Sequence, residues 1–148
     1  MKKFNFRLQK ILEIREKLEQ KQKNQLMHAA SNYNILSQKE ENAFQKAAEA
    51  KHIAQKKLSD QRISIDALRN ADLLITAADK LSWSLMPKIA EAQIKLNQEQ
   101  IQFNQAHTKK RSIEILKENA LQKYRENILK EEANQLDEMS KKYRPNNF

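Results

Sequence analysis

The chain has 148 residues, of which 39% are hydrophobic and 32% charged, a formal net charge of +9, two prolines, no cysteine and no glycine. That mixture is too polar for a thick globular core, and without glycine the glycine-rich phosphate loops and the usual hairpin turns are excluded. Without cysteine there is no disulfide and no thiolate metal site.

Lys2 and Lys3 open the chain, but no apolar run follows them, so the N-terminus does not read as a secretory signal. No stretch approaches the roughly 20 apolar residues of a membrane-spanning helix. A cytoplasmic protein is the expectation. The first arm, residues 4–58, reads as one helix. Leu26, Ala29, Tyr33, Leu36, Ala43, Ala47, Ala50 and Ala54 follow alternating steps of three and four, broken at Glu40. Leu8, Ile11, Leu12 and Leu18 continue this stripe towards the N-terminus, with a shift through Gln22 that resembles a stutter. Such an arm would be roughly 80 Å long.

Charge marks where the chain turns back. Residues 1–58 carry 13 Lys and Arg against 6 Glu, residues 59–87 carry 3 basic against 4 acidic groups, and residues 88–148 carry 12 against 9. Four of the five Asp (Asp60, Asp66, Asp72, Asp79) fall in the middle stretch. Asp favours caps and turns because its side chain bonds nearby backbone N–H groups. Residues 59–87 are therefore expected to form the reversal, built from one or two short helices. Ser64 or Asp66 would cap a first segment ending near Arg69, Asn70 would take a left-handed C-cap, and Asp72 would start another turn. Leu73, Leu74, Ile75, Leu81, Trp83, Leu85 and Met86 form an apolar cluster there, which reads either as a cap on the coil or as a partner-binding tip. Pro87 would stand in the first turn of the second arm or bend a helix that begins earlier.

The second arm, residues 88–142, repeats the first with Ile89, Ala92, Leu96, Phe103, Ala106, Ile113, Leu116, Ala120, Tyr124, Ile128 and Leu136. Residues 143–148 read as a flexible tail. The fold class is therefore all-α: a long antiparallel two-helix coiled-coil hairpin with one or two short helices at the reversal, forming a single coiled-coil domain over 1–148. If residues 58 and 88 face each other, opposed residue numbers add to 146, setting Ala43 on Phe103, Ala50 on Leu96, Tyr33 on Ile113 and Leu26 on Ala120. Ile94 and Ile101 lie off this stripe and could pair with another chain.

Catalytic and metal signatures are nearly absent. His28, His52 and His107 are scattered, and Glu49-x-x-His52, though spaced as in di-iron bundles, lacks a second such motif and two further helices. No enzyme, no metal and no cofactor is expected. Nucleic-acid binding has the high charge in its favour, but the basic residues of the first arm are interleaved with Glu and Gln, and Lys109-Lys110-Arg111 and Lys141-Lys142-Tyr143-Arg144 are short runs.

One segment is more specific. Phe4-x-Phe6-Arg7-Leu8-Gln9-Lys10-x-Leu12-x-x-Arg15 resembles the opening of the FliJ family of the bacterial flagellar type III export apparatus, and Ser64-x-x-x-x-Arg69 before an apolar helix extends the likeness. The resemblance covers essentially the whole chain. It departs from the family at Ala71, Leu73 and Leu74, where members often carry aromatic residues. It implies a non-catalytic, chaperone-like stalk, similar in shape to the central stalk of rotary ATPases. Such a stalk enters the hexameric export ATPase, promotes its assembly and couples it to the membrane export gate. The implied partners are the ATPase hexamer and its regulator, the cytoplasmic domain of the export gate and export chaperones, with no nucleic acid and no direct membrane insertion. The implied location is cytoplasmic, peripherally at the inner membrane of the flagellar base. Phe4, Phe6, Arg7, Leu8, Leu12, Arg15, Tyr124 and Leu136 would bind the ATPase, although Leu8 and Leu12 also suit plain core packing. Leu73, Leu74, Ala78 and Leu81 would face the gate. The equivalent stalk of a non-flagellar type III system and a generic basic coiled-coil scaffold or nucleic-acid binder are the alternatives.

Overall fold

The computed structural model describes residues 3–60 and 64–143. These form two α-helices, α1 (Gln9–Ser59) and α2 (Ile65–Lys142), and no strand. The helices pack against each other in antiparallel fashion within each of two compact units, one made of Met1–Gln20 with Asn104–Phe148, the other of Lys21–Phe103. The all-α helical hairpin expected from the sequence is the architecture found.

The helix ends follow local chemistry. The Gln9 N–H donates to the Phe6 carbonyl at 3.1 Å, so α1 starts in a tight turn behind the two phenylalanines. It ends where the Ser59 hydroxyl donates back to the Lys56 carbonyl, beside Lys56 and Lys57, whose charges suit a helix C-terminus. Ser64 caps α2: its Oγ accepts from the Ala67 N–H at 3.2 Å, and Asp66 lies in the first turn. At the far end Lys141 and Lys142 occupy the last turn.

Two expectations about the reversal are corrected. No short helices separate the arms, because α2 runs without a break from Ile65 through Asn70, Asp72 and Pro87 to Lys142. Once Ser64 has started the helix, Asn70, Asp72 and Asp79 are interior positions whose side chains face solvent, so the clustered Asp mark an exposed face. α1 ends at Ser59 and α2 begins at Ile65, and residues 61–63 between them lie outside the described part. The pairing register changes accordingly. In the unit of Lys21–Phe103 Ser82 donates to Glu40 at 3.3 Å, so opposed numbers there add to about 122, and in the N-terminal unit the Glu19–His107 and Glu19–Lys110 contacts add to 126 and 129, instead of 146.

In the unit of Lys21–Phe103, Ala50, Ala54 and Ala71 form a buried cluster with Ala67 and Leu74 packed against it. Ala50 thus faces the start of α2 instead of Leu96. Buried Ala71, Ala78, Leu85 and Ala92 recur every seven residues, the repeat of a two-helix seam. Alanine at these positions allows close backbone approach, so the seam gains contact from proximity more than from side-chain bulk.

Along α1 the shielded positions run Leu8, Leu12, Arg15, Glu19, Gln22, Leu26, Ala29, Tyr33, Leu36, Glu40, Ala43, Ala47, Ala50 and Ala54. The steps of three and four are unbroken, so the stutter expected near Gln22 does not occur; polar residues hold seam positions there. Ile11 and Leu18, expected on the stripe, are exposed instead. In the unit containing the N-terminal segment, Leu12 is the most deeply shielded side chain, 3% exposed. On α2 of that unit Lys117 takes the seam position, and Leu116 faces outwards.

Candidate partner-binding surfaces

The N-terminal unit is built around an extended lead-in. Residues 3–6 precede α1 and lie along α2, with the Phe4 ring 5.4 Å from the Tyr124 ring at an interplanar angle of 52°, the tilted geometry aromatic pairs prefer. Phe4 and Tyr124 share an open cleft of about 780 Å³ with Ala120, Ile128, Glu131 and Gln135. From 129 to the end of α2 at Lys142, and at Tyr143 after it, every described residue is exposed, including Leu129, Leu136 and Met139. Within this unit, then, α2 continues as a helix with an apolar side and no helix packed on it.

The same unit holds a charged cluster in its seam. Glu19 accepts from Lys110 Nζ at 3.1 Å, and His107 Nδ1 lies 3.0 Å from its other carboxylate oxygen. Lys110 also reaches Glu114 at 3.5 Å, and Arg111 reaches Glu114 and Glu118 at 3.2 and 3.1 Å. Burial by itself would raise the Glu19 carboxyl. The hydrogen bonds from Lys110 and His107, with their charges, outweigh that and hold it below the ordinary glutamate value. The bond to Glu19 raises Lys110 against the opposing effect of burial. Hydrogen bonds to Glu114 and Glu118 likewise raise Arg111.

The other unit carries the second candidate surface. Leu74, Ala78 and Leu81 line a shallow groove of about 310 Å³ with Lys39, Ala43 and Lys46 of α1. Ala78, only 2% exposed, is a seam residue, and Leu74 packs on the alanine cluster. Leu73 points away from the groove and is 69% exposed.

Among the described residues no three His, Cys, Asp or Glu come together as metal ligands. None of the described helices is long and apolar enough to cross a membrane.

The sequence profile of the family described as Flagellar FliJ protein matches residues 4–144. The chain belongs to the FliJ family. It is accordingly a component of flagellar protein export, as the N-terminal motif and the mid-chain segment implied. No curated protein and no solved structure matches the chain.

On this FliJ chain the expected ATPase-binding residues separate by position. Phe4, Phe6, Leu8, Arg15 and Tyr124 are half-buried, Leu12 is buried, and Arg7 and Leu136 are exposed. Phe4 and Tyr124 are brought into ring contact, whereas Leu12 faces the seam. Sequence reading missed the Glu19–His107–Lys110 cluster, because only apolar residues were counted towards the stripe. Its signal was available: Glu19 falls on the step-of-four continuation from Arg15.

Proposed function

We propose that this chain is a non-catalytic stalk of the flagellar export machine. The end that carries Phe4 and the exposed last turns of α2 engages the export ATPase and promotes assembly of its hexamer, and the residues near the start of α2 face the export gate. The observation that carries this reading is the run from 129 to 143, a charged helix end whose Leu129, Leu136 and Met139 remain uncovered in their own unit. An apolar side on a helix without a neighbour is a surface for another protein. Phe4, Phe6 and Arg7 precede or flank the first turn of α1 and can contact a ring without disturbing the helix. Leu8 and Leu12 support them from the seam. At the gate-facing end Leu73 is the accessible contact, with Leu74, Ala78 and Leu81 forming the floor of the groove beside it. Such a protein works in the cytoplasm at the flagellar base, and export chaperones and the ATPase regulator are its further partners.

The test is stimulation of the export ATPase by the full chain. The double variant Phe4→Ala, Phe6→Ala is expected to lose most of the stimulation and of the promoted ring assembly while far-UV circular dichroism stays unchanged, since residues 3–6 are not helical. Undiminished stimulation with intact helicity would refute the assignment of this end.

A further inference from the structure

The unit of Lys21–Phe103 has an apolar line that neither the seam nor the groove uses. Along α2, Leu68, Ile75, Trp83, Met86, Ile94 and Ile101 are all exposed, Trp83 at 74%. With Asp72, Asp79, Ala90 and Asn97 between them they follow steps of three and four, the spacing of a helix stripe. At about 100° per residue Leu68 and Ile75 lie about 50° round the axis from the local buried line of Ala71, Ala78, Leu85 and Ala92, Asp72, Asp79 and Met86 about 100°, and Trp83, Ile94 and Ile101 about 150–205°, so the line runs from the edge of the seam to the far side of α2. In this stretch, then, α2 has two faces, one packed on α1 and one turned away from it.

Charge says what would cover the second face. Asp72 and Asp79 stand inside the apolar line, exposed, and make no ion pair with any described residue. They belong to the segment 59–87, which is net acidic in a chain of net charge +9. An anionic lipid surface would meet two carboxylates in the middle of the inserting face, which opposes it. A second copy laid antiparallel, stripe on stripe, would place Trp83 on Met86 and Ile75 on Ile94, but also Asp79 on Ala90 and Asp72 on Asn97. That would cover four carboxylates with no cation opposite, and desolvating unpaired charge is strongly unfavourable.

We propose that this face is a docking surface for a basic amphipathic helix of another protein. Its apolar stripe packs along Leu68, Ile75, Trp83 and Ile94, and its Lys or Arg residues, placed seven apart within or beside the stripe, meet Asp72 and Asp79. A helix of up to about 30 residues fits the line, at a rise of about 1.5 Å per residue. The site is separate from the end assigned to the ATPase and from the groove at Leu74, Ala78 and Leu81.

Trp83 is the only tryptophan of the chain, so its fluorescence reports occupancy directly. The probe is a synthetic helical peptide without aromatic residues, with Leu and Ile at steps of three and four and two Lys seven apart. It is titrated into the full chain beside the same peptide with Glu for Lys. The Lys peptide is expected to shift Trp83 emission to the blue and to bind about tenfold more tightly than the Glu peptide at low salt, the gap closing as salt is added. Asp72→Lys with Asp79→Lys should reverse the preference without loss of helicity. Equal binding of both peptides, or no binding, overturns the proposal. So does a blue shift on concentrating the protein alone, which would mark a second copy, or on adding vesicles with anionic lipid and no peptide, which would mark a membrane.

Discussion

Replacing Glu19 with glutamine removes one charge from the seam of the N-terminal unit and keeps the side-chain shape. The side chains of Glu19 and Lys110 are only 17% and 19% exposed, so their contact at 3.1 Å is poorly screened by water. A hydrogen bond to a charged partner in such a place contributes roughly 1.5–3 kcal/mol. Glutamine retains one acceptor, and Lys110 keeps Glu114 at 3.5 Å. The expected loss is therefore about 1–2 kcal/mol. In urea unfolding followed by circular dichroism this lowers the midpoint by about 0.5–1 M with the slope unchanged. A cycle with Lys110→Met should return a coupling of about 1 kcal/mol. The pH dependence has a definite sign. The folded-state carboxyl lies below its unfolded value, so its contribution is present above about pH 4.3, the ordinary glutamate pKa, and is lost as pH falls through the lower folded value. Lys110, raised in the folded state, contributes below its unfolded pKa and loses that contribution as pH rises through the folded one. A change below about 0.3 kcal/mol at neutral pH, within the error of such midpoints, would show that the cluster contributes nothing to the pairing, and a loss that persists undiminished at low pH would show that it does not come from the ionised carboxylate.

Ala78→Leu forces three extra carbons into a position that is 2% exposed, and overpacking of this kind costs about 1–3 kcal/mol. A thermal melt should fall by several degrees, and an unchanged melt would show that the helices do not approach closely there. Pro87 lies inside α2, cannot donate to the Trp83 carbonyl one turn back, and is exposed. Pro87→Ala restores that bond and should raise the urea midpoint by a stabilisation of up to about 3 kcal/mol, so a lowered midpoint would contradict an unbroken helix at this point.

The arms were legible because periodicity survives in single residues: Leu26, Ala29, Tyr33 and Leu36 specify a helix face whatever they pack against. The reversal was misread because Asp is ambiguous. The same side chain that favours a turn is also at home on an exposed helix face, and only the Ser64 cap, which sets the start of α2, decides between the two. Everything downstream of that choice moved with it. With α2 beginning at Ile65 instead of after a reversal across 59–87, Ala50 exchanged Leu96 for Ala71, and Ala78 became a seam residue. Of the site, the Phe4–Tyr124 side of the N-terminal unit could be named from motif resemblance, although their ring contact depends on register and could not.

Register in this hairpin is itself a physical problem that the polar seam residues solve. Alanines every seven residues, as at Ala71, Ala78 and Ala92, would pack nearly as well after a slip of one heptad, because small side chains discriminate weakly between partners. Polar positions do not tolerate the slip. In the observed register Glu40 receives the Ser82 hydroxyl. Seven residues either way along α2 would face it with Ile75 or Ile89, and a carboxylate covered without a hydrogen bond costs several kcal/mol. In the N-terminal unit Glu19 and Lys110 impose the same condition, since each loses its bond in any other register. The cost is visible as well: Gln22 Oε1 and Glu99 Oε2 are buried without a hydrogen-bond partner, which lowers the stability of their unit while leaving the pairing specified.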